Sequence, residues 1–162
     1  MTQHASVALP RTVAWLGYGG LLPFIALLPA SLLDPHHGVV WSDALYAYGA
    51  IILSFVGALH WGMAMSLPDL SERQRSLCFV WSVVPALVAW PAFLFSPILA
   101  APLLVFGFVA HYLQDRRLAR QAALPAWYLP LRLRLTSVAV ICLLAGLLLP
   151  AVDVAGPMEI AL

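Results

Sequence analysis

Lysine is absent, and charge of either sign is scarce. Eight arginines and seven acidic residues leave 9% of the 162-residue chain charged, against 63% hydrophobic, and the mean hydropathy is +0.94. A soluble domain is roughly half apolar and about a quarter charged. This chain has too little charge to cover a water-facing surface, so its natural solvent is lipid. The net charge of +1, with no basic tail or acidic block, argues against a nucleic-acid partner. Only two cysteines occur, Cys78 and Cys142, in different apolar runs and without a CxxC pair. They read as small core residues. No catalytic serine motif, metal-ligand spacing or phosphate loop is present, so neither metal nor cofactor is expected. Strand-like alternation is missing, which excludes a membrane β-barrel, and no long internal repeat is visible.

What is present is a series of long apolar runs. The first, residues 12–33, would span about 33 Å as a helix, matching the hydrocarbon core. Pro23 should kink it, and Gly17 and Gly20 allow a neighbouring helix to come close. It is longer than the apolar core of a signal peptide, and the residues before it are too few for a transit peptide. The second run covers 44–66. Residues 78–114 then carry no charge at all, and one helix of that length would reach about 55 Å, far more than a bilayer needs. Ser96-Pro97 lies midway and is a turn signal. Two spans, 77–95 and 98–113, are therefore expected there, followed by a fifth at 135–150.

Orientation tests that count. With five spans, one side holds Arg11, then Arg73 and Arg75, then Arg116, Arg117, Arg120, Arg132 and Arg134, while the other side receives no arginine. The positive-inside rule then places the N-terminus in the cytoplasm and the C-terminus in the periplasm. The expected fold is an all-α, five-helix membrane bundle forming one domain in a bacterial cytoplasmic (inner) membrane.

The connections divide in character. Asp34 to Asp43 is rich in turn formers, and its His36 and His37 would point apart on an extended loop, a poor metal tract. Asp115 to Arg134 mixes arginine with Trp127 and Tyr128, a composition suited to the headgroup level. Within the second span Ala50, Ser54, Ala58, Gly62 and Ser66 recur every fourth residue. That small-residue ridge suits close helix packing, either inside the bundle or along a homodimer or partner seam. Cys142, Gly146 and Pro150 form a shorter counterpart on the last span. Proline inside spans (Pro85, Pro91, Pro102) can free carbonyls to line a cavity, although neighbours more often re-satisfy them.

Histidine supplies the candidate chemistry. His60 and His111 lie on antiparallel spans at similar depth, in the inner-leaflet half. Gly57 and Gly107 stand one turn before them and would leave room beside each ring. Asp115 follows His111 by one turn and can share its face, and Trp61 and Trp81 could wall the same region. A ligand pocket of His60, Trp61, Trp81, His111 and Asp115 is one reading, since intramembrane ionisable groups point to function. The plainer alternative is a neutral His60 bonded to a carbonyl, with His111 and Asp115 at the interface. Helix adjacency is not legible in the sequence, so a bis-histidine haem finds no support.

The stretches GLLPF (Gly20 to Phe24), LSFVGALHWG (Leu53 to Gly62) and LPAWYLPLRLRLT (Leu124 to Thr136), with Trp81, Pro85 and Trp90 between them, resemble transmembrane protein 69 and its bacterial relatives. HWG and LPAWYxxLR are the most specific pieces, and the likeness runs from about Pro10 to Leu149. It implies an integral inner-membrane protein, bacterial or mitochondrial, of uncharacterised function, and supplies no activity or catalytic residue. The leading expectation is a non-enzymatic accessory or assembly subunit acting by helix packing. A binder of a small amphipathic ligand such as a lipid or quinone comes second. A transporter or channel comes third, because no acidic residue lies mid-span to relay protons or hold cations.

Overall fold

The computed structural model describes residues 8–148. Five stretches among them are helical, long and apolar enough to cross a membrane: Arg11–Leu33, Gly38–Ser66, Glu72–Leu94, Pro97–Leu118 and Tyr128–Gly146. No strand occurs among the described residues. The number of spans matches expectation, while their ends differ in ways that matter for the site.

The first span is two helices, α1 (Arg11–Gly19) and α2 (Leu22–Leu33). The break falls at Gly20-Leu21, just ahead of Pro23, which has no N–H to continue the hydrogen-bond ladder. The Gly20 carbonyl accepts a 2.8 Å bond from the Tyr48 hydroxyl instead, so a neighbouring helix satisfies the interrupted backbone. α3 (Gly38–Ser66) begins six residues before the expected span. Nothing between Gly38 and Asp43 stops a helix, and Val39, Val40 and Trp41 extend its apolar run. The connection shrinks to Asp34–His37, where the Asp34 carboxylate lies 2.8 Å from His37 Nδ1 and accepts from Trp41 Nε1 at 3.3 Å.

α4 (Glu72–Ala89) starts inside what reads as a charged loop. Ser71 and Gln74 form a reciprocal capping box, with the Ser71 N–H donating to Gln74 Oε1 at 2.9 Å. The S-x-x-Q spacing was legible and marks a helix start. Arg75, one turn in, donates to the carbonyls of Ala64 and Leu67 at the end of α3, neutralising the negative end of that helix. A short 3₁₀ turn, Trp90–Leu94, closes the span, and Ser96-Pro97 makes the expected turn into α5 (Pro97–Leu118).

α5 runs five residues beyond its expected end, and α6 (Tyr128–Gly146) begins seven residues before its expected start. The long headgroup-level connection contracts accordingly. Asp115, Arg132 and Arg134 lie on membrane-spanning helices. The expected end of the last span at 149–150, including Pro150, falls outside the described residues.

The main core runs along α3, where Phe24, Leu45, Leu53, Leu104 and Leu143 are fully or almost fully buried. Phe24 stacks edge-on against Tyr48, with centroids 5.0 Å apart. Close approach uses Gly49 of α3, one position off the expected ridge, and Gly146 of α6, a member of the expected shorter counterpart. A Cβ on Gly49 would sit 3.0 Å from Leu143, and one on Gly146 would sit 2.8 Å from Leu45. The Tyr46 hydroxyl donates to the Leu143 carbonyl at 3.2 Å across the same seam.

Candidate functional site

At the end of the bundle where α6 begins, four helices bring ionisable and hydrogen-bonding side chains together. His60 comes from α3, Trp81 from α4, His111 and Asp115 from α5, and Tyr128 and Arg132 from α6. His60, His111 and Asp115 have no exposed surface, and Arg132 is 5% exposed. Asp115 is the hub. Its Oδ2 accepts from Arg132 Nε at 2.8 Å and its Oδ1 accepts from the Tyr128 hydroxyl at 3.0 Å. Tyr128 and Arg132 are one turn apart, so both face Asp115 from the same side of α6.

The histidines complete the shell without a direct bond to the carboxylate. His60 Nε2 lies 3.7 Å and His111 Nε2 lies 3.9 Å from Asp115 Oδ1. The two rings meet edge to face, with centroids 4.8 Å apart. Trp81 Nε1 is 3.1 Å from His111 Nδ1. An indole nitrogen only donates, so Nδ1 accepts, and the proton of a neutral His111 must sit on Nε2. That hydrogen then faces the same oxygen that His60 faces.

This tautomer bears on metal binding. His60, His111 and Asp115 offer donor atoms within 4.8 Å of one another, which is compact enough for an ion. Both carboxylate oxygens, however, already hold hydrogen bonds, and the His111 nitrogen nearest the group carries a proton. A metal-ligating histidine donates its other ring N–H outward, the reverse of what Trp81 imposes. A cation would also meet the Arg132 guanidinium. The Asp115 and Arg132 charges cancel in an ion pair, with two buried imidazoles beside it. It is matched to a low-dielectric interior, where a lone charge is costly.

The residues picked out in the sequence fall into two groups. His60, His111, Asp115 and Trp81 do converge. Trp61 does not: it is half exposed and packs edge-on against Phe79, centroids 4.9 Å apart. No room remains beside the rings either. A Cβ on Gly57 would lie 2.8 Å from the Pro85 ring, and one on Gly107 would collide with Leu53. Those glycines admit neighbouring side chains, leaving no space there for a ligand. On the small-residue ridge Ala50 is buried and Ser54 half-buried, but Ala58, Gly62 and Ser66 are exposed. A Cβ on Gly62 would meet nothing within 4 Å, so the lower ridge packs against no other described part of the chain.

Sequence reasoning missed Tyr128, Arg132 and Thr136. The legible signal was the one-turn spacing of all three along Y-L-P-L-R-L-R-L-T, set against an otherwise unpaired Asp115. They lead into a cavity of about 100 Å³ between α1–α2, α3 and α6, whose lining includes Gly17, Phe24, Phe55, Arg132, Leu135 and Thr136. Arg132 Nη2 and Thr136 Oγ1 are buried and have no hydrogen-bond partner among the described residues. Both residues line this otherwise apolar space.

The architecture defines a multi-pass α-helical membrane protein with a buried, charge-balanced cluster. The family described as a protein of unknown function, DUF3429, matches residues 9–148, and the chain belongs to it. Among curated proteins it is 37% identical over 147 residues to transmembrane protein 69 of Xenopus tropicalis, covering 86% of this chain and 54% of that protein. It is 28% identical over 141 residues to transmembrane protein 69 of Mus musculus, covering 86% and 57% respectively. The chain thus spans about half the length of these relatives. No solved structure matches it.

Proposed function

We propose that this protein is a non-catalytic membrane protein that holds a small amphipathic ligand in the cavity beside Arg132. One observation carries the reading: Arg132 and Thr136 supply the polar side chains in the lining of a mostly apolar cavity, and Arg132 Nη2 and Thr136 Oγ1, buried behind that lining, have no hydrogen-bond partner among the described residues. Buried polar groups are otherwise hydrogen-bonded, and each exception calls for a reason. Leu16 and Phe55, which also line the cavity, are 74% and 63% exposed. In a bilayer such residues face lipid, so a ligand can enter sideways from the membrane. The arginine distribution supports an orientation with this end toward the cytoplasm, which puts the cavity's polar end in the inner leaflet. An inner-membrane location, cytoplasmic in a bacterium, belongs to the same reading, and reporter fusions at both termini test it.

The test of ligand binding is native mass spectrometry of protein purified in mild detergent. The wild type is expected to retain an amphiphile that Gly17→Leu, which intrudes on the cavity, displaces. Retention of the same species by that variant, or no retained species in either, overturns the reading.

A second reading is an accessory or assembly subunit acting by helix packing. It is supported by the outward face of Ala58, Gly62 and Ser66 on α3, where a second membrane helix could approach closely. Cysteine cross-linking at Ala58 tests it: a homodimer or a discrete heteromeric adduct is expected, and uncross-linked monomer alone rejects it.

A further inference from the structure

Arg134 lies six residues into α6, about 9 Å along the helix from its start. It is exposed, and so are Ser137 and Ile141 on the same face of α6. In a spanning helix that face meets lipid, where an arginine is costly without a counter-charge. None of the ion pairs among the described residues includes Arg134, and Asp115 is already taken by Arg132. What Arg134 does meet is neutral: its Nη1 donates to the Tyr18 hydroxyl of α1 at 3.2 Å.

That contact assembles two donors. A phenolic hydroxyl that accepts from Arg134 keeps its own proton to donate, and the guanidinium has further N–H groups beyond the one it uses. Standing 3.2 Å apart and exposed, the pair can bond neighbouring oxygens of one oxyanion. Tyr18 is seven residues into the first span and Arg134 six into the last, so both reach a similar depth near one end of the bundle.

The α1 helix supplies the surroundings. Arg11, Ala14, Trp15 and Tyr18 share one face of it and line an open, mostly apolar pocket of about 250 Å³. Arg11 adds a second positive charge at the start of α1, and no carboxylate lines the pocket. Trp15 is exposed, and its ring suits the boundary between headgroups and hydrocarbon. A lipid phosphate brings hydrocarbon for the apolar pocket, whereas a free phosphate would lose hydration and leave the pocket unfilled. A zwitterionic head would set its own cation beside Arg134 and Arg11. An anionic head avoids that repulsion.

We propose that the α1–α6 face binds an anionic glycerophospholipid. Arg134 and Tyr18 hold its phosphodiester, and the pocket beside Trp15 takes the upper part of an acyl chain. This site shares no lining residue with the cavity beside Arg132 and stands independently of the ligand proposed there.

The experiment uses the full chain in mild detergent, with phosphatidylglycerol and phosphatidylcholine of matched acyl chains read by native mass spectrometry. Inorganic phosphate is titrated separately by calorimetry. The wild type is expected to bind phosphatidylglycerol about fivefold more tightly than phosphatidylcholine. Arg134→Gln should abolish that preference, whereas Arg73→Gln, at an exposed arginine on α4, should leave it intact. Tyr18→Phe should weaken phosphatidylglycerol binding about twofold or more, and this milder change reads the same contact if Arg134→Gln fails to fold. Equal binding of the two lipids by the wild type overturns the proposal. So does a preference that survives Arg134→Gln, or one that Arg73→Gln reduces as much, which would mark a general effect of charge. Inorganic phosphate bound as tightly as phosphatidylglycerol overturns the lipid as occupant.

Discussion

The two ends of α3 are held by different physics. Toward Leu45 the helix packs on α5 and α6 through Gly49, Leu104 and Leu143, with one hydrogen bond from Tyr46. Toward His60 the same helix closes against Asp115, Arg132 and His111, all buried. The first seam depends on shape. The second depends on charge balance, and removing one member leaves another without its counter-charge. Lipid tails are as apolar as leucine, so shape alone gains little from burial in a membrane. A paired charge has no acceptable alternative there. The polar end should therefore be the less forgiving of the two.

Asp115→Ala is expected to have the largest effect, a loss of about 3–5 kcal/mol, because it leaves the Arg132 guanidinium buried and unpaired. Thermal unfolding in detergent measures it. The double variant Asp115→Leu with Arg132→Met should be less destabilised than Asp115→Ala alone. If the two losses simply add, the pair is not coupled and the contrast between the ends fails.

At the other end, Gly49→Val should cost about 1–3 kcal/mol by overpacking against Leu143 and Leu104. A loss equal to that of Asp115→Ala would erase the difference between the seams. Tyr46→Phe removes only the bond to the Leu143 carbonyl and should cost about 0.6 kcal/mol, as such bonds do in membrane bundles. A larger loss would make the apolar seam depend on polar glue as well.

The smallest expected effect lies outside the spans. The hydrogen bond with His37 holds the Asp34 carboxyl below its ordinary range, against a smaller opposing push from desolvation. A lowered carboxylate pKa contributes stability above the unfolded-state value and loses it as pH falls through the folded value. His37→Ala should move the Asp34 titration upward by NMR and leave neutral-pH stability almost unchanged. An unmoved titration would show that the turn does not depend on that contact.

Much of the fold was legible because the membrane restricts the choices. Long uncharged runs favour helices, Ser96-Pro97 signals a turn, and Pro23 marks where its span breaks, although Pro29, Pro85 and Pro102 sit inside continuous helices. The helix ends were harder. Hydropathy stops at Leu113 and resumes at Leu135, since Asp115 and Arg132 look costly one at a time. As a bonded pair they cost far less, and both helices run on through them. The site was half legible for the same reason. His60, His111 and Asp115 could be placed at one depth from antiparallel spans, whereas Arg132 looked like a headgroup contact until its partner was known. The ridge from Ala50 to Ser66 had the right spacing for packing, yet spacing cannot say which face of a helix the neighbours occupy.

By itself the sequence determined the solvent, the number of spans, the all-α class and the family, because each follows from composition, run length or local motif. Only the tertiary structure decided that Asp115 pairs with Arg132, that Trp81 sets the tautomer of His111, and that Trp61 and the lower ridge face outward. It also decided that a cavity opens beside Arg132 and Thr136. All of these depend on which helix faces meet, and contacts between residues distant in the chain leave no periodic trace along it.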